Sequence, residues 1–481
     1  MSSRNRFYLA SAPIWLSLAH LCIPMIAGFS VGTVYNIINA GFVGQLHSTP
    51  LLAALTLSLP VFALVMAVGG VFGVGGGTYI SRLLGSEETD GASKALRIKQ
   101  VSSFTTWSAA ICGIIVGTLG VIFATDIAMA VGASGESLAP TALYIGTMFA
   151  FMPVYVLMFA LEQIVRAEGA AVASMSGLIC STAANLVFDV LFILVLHWGI
   201  LGAGIALGLS NIVAVSYYAW WLTTRSEIVS LAPRWFRSDR DMLTRVFGVG
   251  ISELLQSSFL IVTTLVVNWI AIGYGDALLA GMGVALRISQ LPETICMGIF
   301  MGAIPLFAYA FGARNRVRLQ RAIGGSALAI LAVTAIFSTA VLLFRDQVFA
   351  LFSTDPSMIS DGSRMLVAML VATAFNGITG LLIAVFQATE QMRNATIMSV
   401  AQGIVFIPVV LIANAVFGLT GVIWSMTVTE FVVFVLGGIL FLISRSTLRA
   451  EPSDRAIAAA HEAVADESAI VPIQHTQPVQ P

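Results

Sequence analysis

From Ile14 to Ile443 the chain is a succession of apolar stretches, each about 20 residues or longer, separated by short segments that carry most of its charges. About 20 apolar residues is what a helix needs to cross the hydrocarbon of a bilayer, and few soluble cores use more than one or two stretches of that length. Inside lipid each backbone amide must be satisfied within the protein, so every such stretch is predicted to be a helix. Twelve are counted, at 14–42, 51–80, 101–125, 138–163, 172–197, 199–222, 246–272, 278–310, 319–344, 358–388, 394–416 and 418–443. Pro24, Pro60, Pro153, Pro292, Pro305 and Pro408 fall within them, each removing a ladder hydrogen bond, and bends are expected there. The reading is an all-α polytopic membrane protein. Its composition agrees: 10% charged residues and a mean hydropathy of +0.94, against about 25% charged in a soluble domain. A net charge of −1 gives nucleic acid nothing to bind.

The basic residues orient the spans. With the N-terminus inside the cell, 20 of the 23 Lys and Arg fall on cytoplasmic segments. That bias places both termini in the cytoplasm of a multi-pass protein of the cell (inner) membrane. The run after Tyr8 is too long for a cleaved signal peptide, and the first span is expected to stay. The polar stretch 223–245 separates residues 1–222, with six spans, from 246–443, with six more. Landmarks recur in order: Ile80-Ser81-Arg82-Leu83-Leu84-Gly85 answers Tyr309-Ala310-Phe311-Gly312-Ala313-Arg314-Asn315. Gln163 answers Gln387, and Gly199-Ile200-Leu201-Gly202 answers Gly418-Leu419-Thr420-Gly421. Both halves start on the same side, so the fold expected is two six-helix lobes related by a parallel pseudo-twofold repeat. Residues 444–481 read as a disordered cytoplasmic tail with a short Ala-rich helix around 456–465.

Among the apolar residues a few polar ones stand out. Asn185 and Asp189, four apart in the fifth span, share a helix face. An ionised Asp at mid-membrane costs about 2.5–3.5 kcal/mol, so it turns inward. There it is either the centre of a cation or proton site or a hydrogen-bonding tie between helices. The second half has no matching acid, since Pro408 aligns with Asp189, but it offers Glu253 and Gln256 in span seven, Arg287, Gln290 and Glu293 in span eight, Asn376 in span ten and Glu430 in span twelve. Arg287 is expected to neutralise Glu253, Glu293 or Glu430, leaving another acid free to titrate; static ion pairs are the alternative. Glu162 and Arg166, also four apart, read as a structural pair. Gly73, Gly75, Gly76 and Gly77 lack the Lys-Ser/Thr of a phosphate loop and read as helix packing. Cys22, Cys112, Cys180 and Cys296 show no metal spacing, and no metal site, catalytic constellation or organic cofactor is expected.

The order of motifs resembles the multidrug and toxic compound extrusion (MATE) family. The matching residues are Tyr35 to Gly44, Gly73 to Gly85, Arg166-Ala167-Glu168-Gly169, Asn185 to Asp189 and Phe311-Gly312-Ala313-Arg314-Asn315, and the resemblance covers about 10–445. It implies a V-shaped pair of lobes around a central cavity and export of amphipathic, often cationic small molecules, driven by H⁺ or Na⁺ moving inward. It further implies a coupling site of Asp189, Asn185 and Asn39, with Asn39 standing where the family usually has Asp. An amide cannot titrate, so coupling would rest on Asp189 or move to the second half. Tyr35, Asn36, Gln163 and Gln387 are expected at the substrate cavity. The expected partners are drug-like small molecules and the lipid bilayer, and the expected state a monomer. A related flippase for a lipid-linked sugar would need a strongly basic cavity, and Arg287 is the only deep basic residue.

Overall fold

The computed structural model describes residues 3–44, 49–90, 92–272, 274, 276–344, 347 and 356–449; side chains at 36–44 are among those outside the described set. The regular structure among the described residues is all helical. A short α1 (Ser3–Ala10) precedes α2 (Ile14–Gly44), α3 (Thr49–Asp90) and α4 (Ala92–Ile122). The brief α5 (Ala124–Ala130) leads to α6 (Leu138–Ala150), α7 (Met152–Ala167), α8 (Ala171–Asp189) and α9 (Gly199–Arg225). After one turn at Pro233–Trp235 come α10 (Arg240–Ile272), α11 (Asp276–Gly312), α12 (Arg316–Leu343), α13 (Pro356–Ala388) and α14 (Met392–Arg449).

Ten of these helices are long and apolar enough to span a membrane. Two breaks bring the count to twelve. α6 and α7 form one span bent by 50° at Phe151, beside Pro153, as the proline rule anticipates. The apolar part of α14 runs for 53 residues, about 80 Å at 1.5 Å per residue, against a hydrocarbon thickness of about 30 Å. It breaks at Gly418, whose φ of 55° lies in the left-handed region. Gly199 has the same φ of 55° at the corresponding start of span six. The two halves thus turn their fifth span into their sixth with the same backbone conformation, which only glycine adopts freely. The other prolines inside spans leave α2, α3, α11 and the first part of α14 unbroken.

Residues 1–437 form one compact unit that contains both halves; the described part of the remainder, 438–449, is the end of α14. In the first half the core is built on α3, α4, α6 and α7 around Val65, Tyr144, Ile145, Met148, Met152 and Val156. In the second half Ala285, Leu366, Ala368 and Leu370 occupy the same role between α11 and α13. The halves meet along α3, α10, α2 and α11 by backbone-to-backbone contacts that tolerate no side chain. A Cβ on Gly85 would lie 2.1 Å from the Tyr309 carbonyl oxygen, and one on Gly312 would lie 2.1 Å from that of Arg82. Gly75 and Val246, and reciprocally Gly250 and Val71, repeat this crossing at 2.1 Å. The repeat landmarks at Gly85 and Gly312 are therefore seam residues, exchanged by the pseudo-twofold axis. They gather on one face, where α3 and α11 end and α4, α10 and α12 begin. It also holds Arg82, Arg97, Arg166, Arg245 and Arg318, and is called here the basic face.

Candidate functional site

Asp189 ends α8 and is 1% exposed, with Asn185 one turn earlier at 3%. α8 continues past Asp189 into a wider π turn at Val190–Val195, the last turn before the left-handed residues His197 and Gly199. Wide turns of this kind recur at functional positions. The Tyr35 hydroxyl of α2 donates to Oδ2 of Asp189. Tyr144 of α6, 7% exposed, stands within electrostatic reach of the same carboxylate. The Asn185 amide nitrogen is buried without a partner. Among the described residues no basic side chain lies on Asp189, so the acid is held by the Tyr35 hydroxyl and is not locked in an ion pair. Such a carboxylate can take a proton or a small cation. The side chains of Asn36 and Asn39 lie outside the described residues.

Further toward the basic face, a polar cluster crosses from one half to the other. Glu253 of α10 lies on α3 at Gly70, whose added Cβ would come 2.8 Å from the Glu253 Cγ. Gln387 of α13 donates to Glu253 at 3.3 Å and to the Ser252 hydroxyl at 3.1 Å. Its repeat counterpart, Gln163, lies on Gly73 of the same α3 face and keeps a buried amide nitrogen unpartnered. Arg166 is in electrostatic reach of Glu253. It forms the expected i,i+4 pair with Glu162 at 3.4 Å, both groups at most 5% exposed, and Ser174 donates to Glu162. In the second half Gln256 donates to Gln402 at 3.3 Å, and Gln402 donates to Glu430 at 3.3 Å. One oxygen of Glu430 is buried without a partner. Glu293, exposed, sits beside Thr373, and its charge reaches Glu430. Asn376 is half-buried on α13.

The basic face closes the seam with charge. Arg97 of α4 grips Asp239 through both guanidinium nitrogens, at 2.5 and 3.0 Å, and reaches Asp241 at 3.2 Å. Asp239 also caps α10 by accepting from the Met242 amide at 2.8 Å. The Arg97 fork and that amide hold the Asp239 carboxyl well below the usual carboxylate range. Glu390, a left-handed residue just after α13, pairs with Arg245 and with Arg82, the latter at 3.2 Å without hydrogen-bond alignment. Tyr79 lies beneath three guanidinium groups and donates to Asp241 at 3.3 Å.

The MatE family model matches residues 24–191 and 249–412, one segment in each half. The chain belongs to the MatE family. Multidrug export protein MepA of Staphylococcus saprophyticus is 34% identical over 455 residues, 94% of this chain and 99% of that protein. MepA of Staphylococcus haemolyticus is 36% identical over 430 residues, 89% and 94% of the two chains. A multidrug resistance MATE family transporter of the MOP superfamily, solved in an outward-facing conformation, superposes with a TM-score of 0.85 at 23% identity. The match covers 94% of this chain and all of that one. A MATE protein in complex with MaL6 gives the same score and identity over 93% of this chain. These likenesses confirm the fold.

Within this MatE-family chain the structure redistributes the expected residues. Tyr35, expected at the substrate cavity, is bonded to Asp189. Gln163 and Gln387, also expected at the substrate cavity, lie at the seam around α3. The expected neutralisation by Arg287 does not occur: Arg287 is exposed, and among the described residues it has no ion pair. Six residues from Glu293 place it about 120° around α11, away from that acid, and the basic neighbour of Glu253 is Arg166. Tyr144, Gln402 and Thr373 were not anticipated. Gln402 had a signal, an amide inside an apolar span; Tyr144 and Thr373 had none, because Tyr and Thr are ordinary in such spans.

Proposed function

We propose that the protein is a secondary multidrug exporter in the cell (inner) membrane, with both termini in the cytoplasm, exchanging amphipathic or cationic small molecules for H⁺ or Na⁺. The observation that carries this reading is Asp189: a buried acid within a span, held by Tyr35 and free of any basic partner among the described residues. Its loading is the event that distinguishes two states, because an ion drives a conformational change only through different affinity for each. Similarity to MepA, named as a multidrug export protein, over nearly the full length of both chains supports the substrate class. The charge bias of the loops supports placing the basic face in the cytoplasm. On that assignment the glycine crossings and ion pairs close the cytoplasmic side, which corresponds to a carrier open to the outside.

The test is transport by purified protein in liposomes with either a pH or a Na⁺ gradient imposed alone. A cationic dye is expected to move against one of the two gradients. Dye movement independent of both ions would defeat the exchange mechanism, and absence of any dye movement would defeat the substrate class.

A further inference from the structure

Two motifs, Arg166–Gly169 and Phe311–Asn315, play no part in the acid site, yet both border the short helix α1. Asn315 caps α12 by accepting from the Arg318 amide at 3.0 Å, which fixes Arg318 in the first turn. The Arg318 guanidinium then turns to the first half. Nε donates to the Leu9 carbonyl at 2.7 Å, Nη1 to Ala12 at 2.7 Å, and Nη2 to Tyr8 at 2.8 Å and to the Ser17 hydroxyl at 3.0 Å. Ser17 closes the ring by donating to the Tyr8 carbonyl at 2.7 Å. The last carbonyls of a helix have no partner within it and carry its negative pole, so one cation from the other half satisfies the end of α1. On its other side α1 rests on the first half. Leu9, fully buried, packs on Gly169, whose φ is 75° and whose added Cβ would lie 3.0 Å from Leu9 Cδ1.

We propose that α1, clamped by Arg318, is a strap that holds the basic face shut and sets the balance between the two access states. This rests on the alternating-access reading above. The clamp cannot simply travel with one half. Tyr8 and Leu9 belong to α1, but Ser17 is in the first turn of α2, and α2 packs on α8 of the first half, with Gly28 against Leu178 and Met175. Arg318 moves with α12. Parting the halves at this face therefore breaks the bond to Ser17 and strains those to Tyr8, Leu9 and Ala12. A planar guanidinium serves four acceptors at once; a lysine ammonium does not.

A reporter already exists in the seam. Cys22 of α2 is 5% exposed, donates to the Ile299 carbonyl of α11 at 3.3 Å and lies under Gly302. Opening of the basic face uncovers it. In a protein with Cys112, Cys180 and Cys296 changed to alanine, the rate of maleimide labelling at Cys22 reads the open population without any substrate, and so independently of whether export itself is demonstrated. Arg318→Ala is expected to raise that rate about tenfold, with Arg318→Lys in between. Deleting residues 2–10 is expected to raise it similarly and to add nothing to Arg318→Ala. Monodispersity and melting temperature confirm that each variant is folded. A folded Arg318→Ala or deletion variant labelled at the parental rate, or rates that multiply when the two changes are combined, would overturn the strap.

Discussion

Gly85→Ala is the sharpest probe of the seam. The new methyl would lie 2.1 Å from the Tyr309 oxygen and 2.9 Å from the Ala313 nitrogen, both backbone atoms that no rotamer change can move. The first contact falls 0.9 Å short of the 3.0 Å that real Cβ atoms keep, so α3 and α11 must part by about that much at this crossing. Overpacking of this kind costs about 1–3 kcal/mol. The cost is borne only by the state in which the crossing is closed, so it translates into a shift of about 5- to 150-fold toward the state open on the basic face. Spin labels at Leu96 and Val317, exposed positions on α4 and α12, report the separation by pulsed electron resonance. A longer-distance population is expected to appear. Gly324→Ala is the control, since nothing lies within 4 Å of its added Cβ, and it should leave the distances unchanged. An unaltered distribution in a folded Gly85→Ala protein, or the same shift in the control, would refute the reasoning.

Other perturbations test other parts. Asp239 has a folded pKa below its ordinary value of 3.8, so its contribution to stability is complete above that value and is lost as pH falls toward the lowered one. The melting temperature of the wild type should therefore hold from pH 7 to about 5 and drop below about 4, while Asp239→Asn starts lower and lacks this group's part of the drop; equal melting of the two at pH 7 would count against it. Glu162→Ala leaves Arg166, at 2% exposure, without its partner, a loss of about 3–5 kcal/mol. A marked fall in melting temperature is expected, largely recovered in Glu162→Met with Arg166→Leu; wild-type melting of the single variant would show the pair to be dispensable.

The twelve spans were legible because hydrophobic length is a property of a local window, and the parallel repeat because its turning residues, Gly199 and Gly418, adopt one conformation. The i,i+4 spacing of Asn185 and Asp189 correctly announced a shared inward face. What spacing could not reveal was which element approaches from elsewhere. The partner of Asp189 is Tyr35, 154 positions away, and the partner of Glu253 is Gln387, 134 positions away. Arg287 shows the same limit in reverse: its place as the one deep basic residue of the spans carried no information about the direction of its side chain. Arg318, bonded to residues more than 300 positions earlier, looked like one more cytoplasmic cation.

The central claim, that loading of Asp189 drives export, is tested most directly by comparing two assays on one variant. Asp189→Asn, reconstituted in liposomes, should still exchange dye for dye in the absence of any ion gradient but should no longer accumulate dye against its concentration when the coupling gradient is imposed. Gradient-driven accumulation at the wild-type rate in Asp189→Asn would contradict the account and transfer coupling to Glu253, Glu293 or Glu430.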